Sequence, residues 1–188
     1  RDVNEDGRID RLVVTLSEPV EDDTRSGSLD VAGYTGESVS SGSGADDDEL
    51  WVDFTESGFD TIEKPDVTLI EETLSDLVAN DRDSGASQLY ESTLDKAPPV
   101  LLTRETADLD RNGYLDAVYL TFSENIVDAT VSASDFDVSG VGSEGFNSTT
   151  NGDSSGDNVL YVSFADPVLK TDATPLVEYT IGTLADTS

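Results

Sequence analysis

Leu50-Trp51-Val52-Asp53-Phe54 decides the fold class. Apolar residues at 50, 52 and 54 alternate with Trp51 and Asp53, the period of two that puts one strand face on a core and the other toward solvent. The pattern returns 110 residues later as Leu160-Tyr161-Val162-Ser163-Phe164. A second row, Leu12, Val14 and Leu16, maps onto Val118, Leu120 and Phe122 at an offset of 106. Ser17-Glu18 maps onto Ser123-Glu124, Pro65 and Val67 onto Pro175 and Val177, and Thr73-Leu74-Ser75-Asp76 onto Thr183-Leu184-Ala185-Asp186. The drift between the two offsets falls in loops. The chain thus reads as all-β and as two copies of one unit. Short strands separated by Gly, Ser, Asp and Asn predict a β-sandwich for each copy. No stretch carries a helical period of useful length.

Working outward, the join falls at Asp95-Lys96-Ala97-Pro98-Pro99, where paired prolines make an extended, semi-rigid joint. The expected domains are residues 1–96 and 97–188. Val100 to Thr103 reads as an opening strand of the second domain that the first does not match. Ser87 to Thr93 reads as a closing strand of the first that the second does not match. We therefore expect a piece of a longer tandem array, with an open sheet edge filled by a strand from a neighbouring copy. Tyr34 to Glu49 and Ser139 to Asn158, rich in Gly, Ser and Asp, are expected to be solvated loops. The second contains Asn147-Ser148-Thr149, an acceptor pattern for N-glycosylation at Asn147.

Each copy carries a loop of unusual chemistry just before its first strand row. The first is Asp2-Val3-Asn4-Glu5-Asp6-Gly7-Arg8-Ile9-Asp10, the second Asp108-Leu109-Asp110-Arg111-Asn112-Gly113-Tyr114-Leu115-Asp116. Oxygen-bearing side chains stand at positions 1, 3, 5 and 9, Gly at 6 and an aliphatic residue at 8. That is the spacing of a calcium loop, with short hard oxygens, a sharp turn at Gly and a backbone carbonyl from position 7. The expected ligands are Asp2, Asn4, Asp6, the Arg8 carbonyl and Asp10, and Asp108, Asp110, Asn112, the Tyr114 carbonyl and Asp116. Position 12, where a helix–loop–helix calcium site needs Glu, holds Val13 and Tyr119, so that architecture is excluded. Glu56, Asp60, Asp166 and Asp172 are candidate further ligands from the loop expected to return to the same pole. The bland alternative is an ordinary turn in an Asp-rich chain. Two full matches at equivalent places favour the metal. Calcium is favoured over magnesium because the loop offers many protein oxygens at flexible geometry.

The charge is extreme: 10 basic against 41 acidic residues, net −31. Such a surface repels phosphate, so nucleic acid and anionic membranes are poor partners. At molar salt the Debye length falls to about 3 Å and the self-repulsion is screened, which suggests a salt-adapted, halophilic protein. A calcium-loaded acidic surface protein from a less salty habitat is the alternative. There is no Cys and no His, so disulfides, thiolate metal sites and the commonest general base are absent. No apolar run approaches the ~20 residues of a membrane span. With no Met and Arg at position 1, we expect an excised or mature piece whose signal peptide and anchor lie outside it.

Ala97-Pro98-Pro99-Val100, then the loop at 108–116, then Val118-Tyr119-Leu120-Thr121-Phe122-Ser123-Glu124 together resemble tandem Ig-like domains of prokaryotic, haloarchaeal-type cell-surface and S-layer-like proteins. Leu12-Val13-Val14-Thr15-Leu16-Ser17-Glu18-Pro19-Val20 echoes this in the first copy. The loops also resemble calcium loops on non-helical scaffolds, as in thrombospondin type 3 repeats. The resemblance implies two tandem Ig-like β-sandwich domains, secretion to the extracellular cell surface, calcium-dependent folding or assembly, and no catalysis.

The expected function is a non-catalytic structural module of a surface lattice or filament, whose partners are copies of itself or neighbouring Ig-like domains. The alternative is an adhesin or carbohydrate-binding accessory module, with glycans stacking on Trp51 or Tyr161. Those rings could equally pack under a loop or at a sheet edge. Glu18 and Glu124 are either ligands or subunit contacts, or strand-end charges in a turn.

Overall fold

The computed structural model describes residues 1–22, 26–58, 61–73, 75–78, 88–90, 93–146, 154–180 and 182–187. The expected glycosylation site Asn147 and the candidate ligand Asp60 lie outside the described residues, as do Leu74, Ser87, Glu91 and Ser92. The architecture is all-β. Its helical content includes two short 3₁₀ turns, Asp128–Thr130 and Ala133–Asp135. Among the described residues no helix is long and apolar enough to cross a membrane.

The chain divides into two compact units, Arg1–Ala97 and Pro98–Ser188. The expected join, between residues 96 and 97, lies one residue from this division. Ala97 is buried in the core cluster of the first unit with Ile9, Val31 and Val52, so it belongs to that unit.

In the first unit, β1 (Arg11–Thr15) and β3 (Thr35–Ser40) flank β4 (Glu49–Thr55) in one antiparallel sheet. A second sheet is ordered β2 (Ser26–Val31), β5 (Val67–Thr73), β6 (Gln88–Tyr90). β4 alternates as expected, with Leu50, Val52 and Phe54 buried and Trp51 and Asp53 half-buried on the other face. Val52 and Phe54 meet Leu29, Val31 and Val67 from the second sheet, a sandwich-like arrangement. Among the described residues Leu50 clusters with Val20, and Val14 and Val39 pack against both this pair and the larger cluster.

The main sheet of the second unit is ordered β11 (Gly145–Phe146), β12 (Val159–Ser163), β9 (Ala117–Phe122), β7 (Leu101–Ala107). Opposite lies the pair β10 (Phe136–Val138) and β14 (Val177–Tyr179). A small ribbon joins β8 (Tyr114–Leu115) to β13 (Leu169–Lys170). One cluster unites Val118, Leu120, Phe122, Leu160 and Val162 with Phe136, Val138 and Val177. Tyr179 stacks on Phe136 at 5.1 Å between ring centroids and takes the edge-on contact of Phe122 at 6.2 Å.

The two units repeat one another bond for bond at several places. The Leu16 N–H donates to the Asp48 carbonyl and the Phe122 N–H to that of Asn158. Val20 bridges Asp76 as Ile126 bridges Asp186. Glu37 accepts from the Val31 N–H at 3.3 Å, and Glu144 accepts from the Val138 N–H at 3.2 Å.

The loop expectation for Tyr34 to Glu49 needs correcting, because β3 lies within it. Its sequence Thr-Gly-Glu-Ser-Val-Ser is polar because most of the strand is exposed; only Val39 reaches the core clusters. Gly36, at φ +76°, accompanies a register irregularity between Thr35 and Ser38. Likewise β11 falls inside Ser139 to Asn158 and contributes the half-buried Phe146.

Candidate functional site

The two acidic loops share one backbone path. Position 4 has a left-handed conformation in both, Glu5 at φ 60° and Arg111 at φ 61°. The glycines at position 6 match as well, Gly7 at 92° and Gly113 at 93°. An added Cβ on Gly113 would meet nothing within 4 Å, so glycine is required there for its dihedral rather than for space.

The side chains fold inward onto this path. At position 1, Asp2 accepts the N–H groups of Asp6 (3.3 Å) and Gly7 (2.8 Å). Asp108 accepts those of Asn112 (3.1 Å) and Gly113 (2.9 Å). Position 3 accepts from the N–H of position 5, at 3.1 Å for Asn4 and 3.0 Å for Asp110. Position 5 accepts from the N–H of position 7, Asp6 from Arg8 at 3.1 Å and Asn112 from Tyr114 at 2.9 Å. At position 9, Asp10 accepts from Val3 (3.1 Å) and Asp116 from Leu109 (2.9 Å). Each bond uses one lone pair and leaves others free for a cation. Arg8 and Tyr114 occupy position 7 in both paths, where the expected donor is the main-chain oxygen.

Position 8 ties the loop to the fold. Ile9 and Leu115 are each 2 % exposed and belong to the core clusters of their units. Just after it, the carbonyls of Asp10 and Asp116 accept the N–H groups of Phe54 and Phe164. The loop is thus pinned between buried apolar packing and a ladder bond.

In the second loop, Asp108, Asp110 and Asp116 each bring one oxygen within 4.8 Å of the others, a cluster able to hold a metal ion. It is the only group of three or more His, Cys, Asp or Glu side chains converging so closely among the described residues. The first loop has an amide, Asn4, in place of Asp110. Burial, reinforced by the charge of Asp2 and opposed by the Val3 N–H, pushes the Asp10 carboxyl above its ordinary value. A divalent cation would reverse this, since it favours the ionised form.

The further candidates separate. Glu56 does reach the first loop, where it accepts from the Asn4 amide at 2.8 Å and lies 3.7 Å from Arg8. Asp166, at the equivalent place, accepts from the Asn112 amide, which also donates to Asp110 at 3.0 Å. Both carboxylates thus sit on the side-chain amide of their loop, and Asp166 is not part of the convergent trio. Asp172 is exposed; its neighbour Thr171 donates to the Gly113 carbonyl at 3.4 Å. Sequence spacing brought Glu56 and Asp166 to the right pole. It did not show that each would meet the amide, because the amide occupies position 3 in one loop and position 5 in the other.

The remaining candidates differ between copies. Glu18 is exposed whereas Glu124 is 4 % exposed, so equal sequence positions have unequal environments. Trp51 donates its indole N–H to Glu49 at 2.6 Å. The Arg11 guanidinium lies 4.1 Å above its ring while pairing with Asp53. Tyr161 meets Tyr119 directly across the sheet at 4.8 Å. Trp51 is thus held by Arg11 of the neighbouring β1 and Glu49 of its own strand, and Tyr161 by Tyr119 of the neighbouring β9. No protein-family model, curated protein or solved structure matches the chain.

Proposed function

We propose that this chain is a non-catalytic structural module, two Ig-like β-sandwich repeats of an extracellular cell-surface lattice or filament, each stabilised by calcium. The observation that carries the reading is the loop built twice to one backbone path, with its position-8 residue in each core. In this reading Asp2, Asn4, Asp6 and Asp10, and Asp108, Asp110, Asn112 and Asp116, supply side-chain oxygens, while Arg8 and Tyr114 supply carbonyls. The ion neutralises clustered carboxylates and fixes the start of the first core strand. The net charge of −31 suits a salt-rich, halophilic setting. Partners would be further repeats of the same kind.

The test is melting in high salt with saturating calcium and with chelator. A ligand that binds only the folded state stabilises by RT ln(1 + [L]/Kd), about 2.7 kcal/mol at a hundredfold excess over Kd. Asp6→Ala and Asp110→Ala should each remove the calcium-dependent shift from their own unit. Identical melting curves with and without calcium would refute the proposal.

An adhesin or carbohydrate-binding role has one observation in its favour. A groove of about 430 Å³ is lined by Trp51, Arg11, Val13 and Glu49 on the outer face of the first unit. Saturable glycan binding lost in Trp51→Ala would shift the assignment to that role.

A further inference from the structure

Position 5 of the second loop is an asparagine followed by a glycine, Asn112-Gly113, and both residues are exposed. That pair has a chemistry of its own. The main-chain nitrogen that follows an asparagine can attack the side-chain carbonyl carbon, and glycine hinders the attack least because it carries no side chain. At Gly113 the approach is open, since even an added Cβ would meet nothing within 4 Å. The same place in the first loop is Asp6-Gly7, where the side chain is already an acid.

The structure ties down the polar groups of that reaction one by one. The attacking group, the Gly113 N–H, donates to Asp108 Oδ2 at 2.9 Å. The Asn112 carbonyl oxygen accepts the Tyr114 N–H at 2.9 Å, one residue beyond the nitrogen that would attack. The side-chain nitrogen that would leave donates to Asp110 Oδ2 at 3.0 Å and to Asp166 Oδ2. Asp166 is 54 residues away in sequence, so this last tie joins the loop to a distant one. All four bonds are exposed to solvent, where local opening is cheapest.

We propose that Asn112 is a deamidation site, guarded by Asp166 and converted when the second loop opens. The Gly113 nitrogen bonds to Asn112 Cγ and the Cγ–Nδ2 bond breaks. The displaced nitrogen leaves as ammonia, taking up the N–H proton by way of solvent. Water then opens the cyclic imide at either carbonyl. One product is aspartate at 112; the other is isoaspartate, which routes the main chain through the side-chain carbon and destroys the path shared by the two loops. A carboxylate at 112 would join those of Asp108, Asp110 and Asp116 and would face Asp110 and Asp166 where an amide now donates. The loop would then close again only against added like-charge repulsion. The step does not reverse, so its extent records how long the loop has stood open. The inference rests on these hydrogen bonds and not on a bound ion, so its failure would leave the calcium reading standing.

The test incubates the full chain at mildly alkaline pH in calcium and high salt, and in parallel in urea. Peptide mapping by mass spectrometry follows conversion at 112, with fragmentation that tells isoaspartate from aspartate. Asn151-Gly152, the other such step in the sequence, is the internal reference. Isoaspartate at 112 is expected in both samples, forming roughly tenfold or more slowly in the folded chain. Asp166→Ala should speed the folded-state conversion several-fold while leaving Asn151 and the urea rates unchanged. Asp166→Asn, which keeps an acceptor oxygen, should stay near the parent. Equal rates with and without urea, conversion confined to urea, or aspartate without isoaspartate would each overturn the proposal. So would an Asp166→Ala rate that is unchanged at 112, or raised equally at 112 and 151.

Discussion

Replacing Asp110 with Asn should change the stability of the second unit in opposite directions with and without calcium. Asp110 brings an oxygen within 4.8 Å of one on Asp108 and one on Asp116. At that spacing each like-charge pair repels by about 0.9 kcal/mol in a water-like dielectric. Two pairs give roughly 1.7 kcal/mol, and a Debye length near 8 Å at physiological salt reduces this to about 1 kcal/mol. Asn keeps the acceptor that receives the Asn112 N–H at 3.0 Å, as Asn4 does in the first loop; it gives up the exposed bond from the Asn112 side-chain amide, which still has Asp166 as acceptor. In chelator, at the lowest salt that keeps the chain folded, Asp110→Asn should therefore raise the second unit's melting point. A gain of about 1 kcal/mol in a unit of this size is roughly 4–8 °C. In saturating calcium the substitution removes a charged ligand, and the melting point should fall below that of the parent. A hundredfold loss of affinity under near-saturating ion corresponds to about 2.7 kcal/mol. Scanning calorimetry with both ions and chelator, in low and molar salt, measures all four states. A shift of the same sign with and without calcium would refute the cage. So would a chelator-state gain that persists undiminished at molar salt, since the repulsion would then not be its source.

Three further outcomes follow from the packing and the backbone. Leu115→Ala empties a fully buried site at the root of the second loop and should cost about 2–5 kcal/mol in urea unfolding of that unit; a cost under 1 kcal/mol would mean the loop is not anchored in the core. Gly113→Ala should cost about 1 kcal/mol through its φ of 93° alone, because the position is sterically open, and Gly113→Asn should cost less; equal stability of all three in the same assay would remove the argument from dihedral strain. Burial, then the charge of Asp135, raises the Tyr179 phenol above its ordinary value, against a hydrogen bond with the Gly182 backbone. Its folded pKa therefore exceeds the unfolded one, so its contribution to stability is present below about pH 10 and lost as pH rises through the folded value. Absorbance near 295 nm should show one of the six tyrosines titrating late in the folded chain, and earlier in Asp135→Asn; simultaneous titration of all six would contradict this.

How much of this was legible in the sequence depends on how each element satisfies its surroundings. β4, β9 and β12 are central strands with one buried face, so burial stamped an alternation on them that reads directly. β3 borders β4 with little apolar contact, and nothing in Thr35–Ser40 marks it as a strand except Val39. β2 has no alternation that marks it in the sequence, although Leu29 and Val31 join Val67 as the second sheet's share of the core. The loop ligands were legible because the chemistry fixes residue type and spacing within nine positions. The carboxylates that meet the amides were only half legible. Glu56 and Asp166 lie more than fifty residues from the groups they touch, and their partner moves between copies. The contrast between exposed Glu18 and buried Glu124 was invisible, because the Ser-Glu step that carries them is the same in both copies while their burial is not.

The pairing of Glu56 with Asn4 and of Asp166 with Asn112 has a consequence for mosaics of such repeats. A glutamate reaches the third place of its own ring, and an aspartate reaches the fifth place of its own. Grafting one nine-residue ring onto the other scaffold would leave the remote acid facing an aspartate where an amide had stood. Recombination that exchanges rings alone should thus yield mismatched hybrids, whereas crossovers that carry the distant acid along should not. The heritable unit of this module is the ring together with its remote acid.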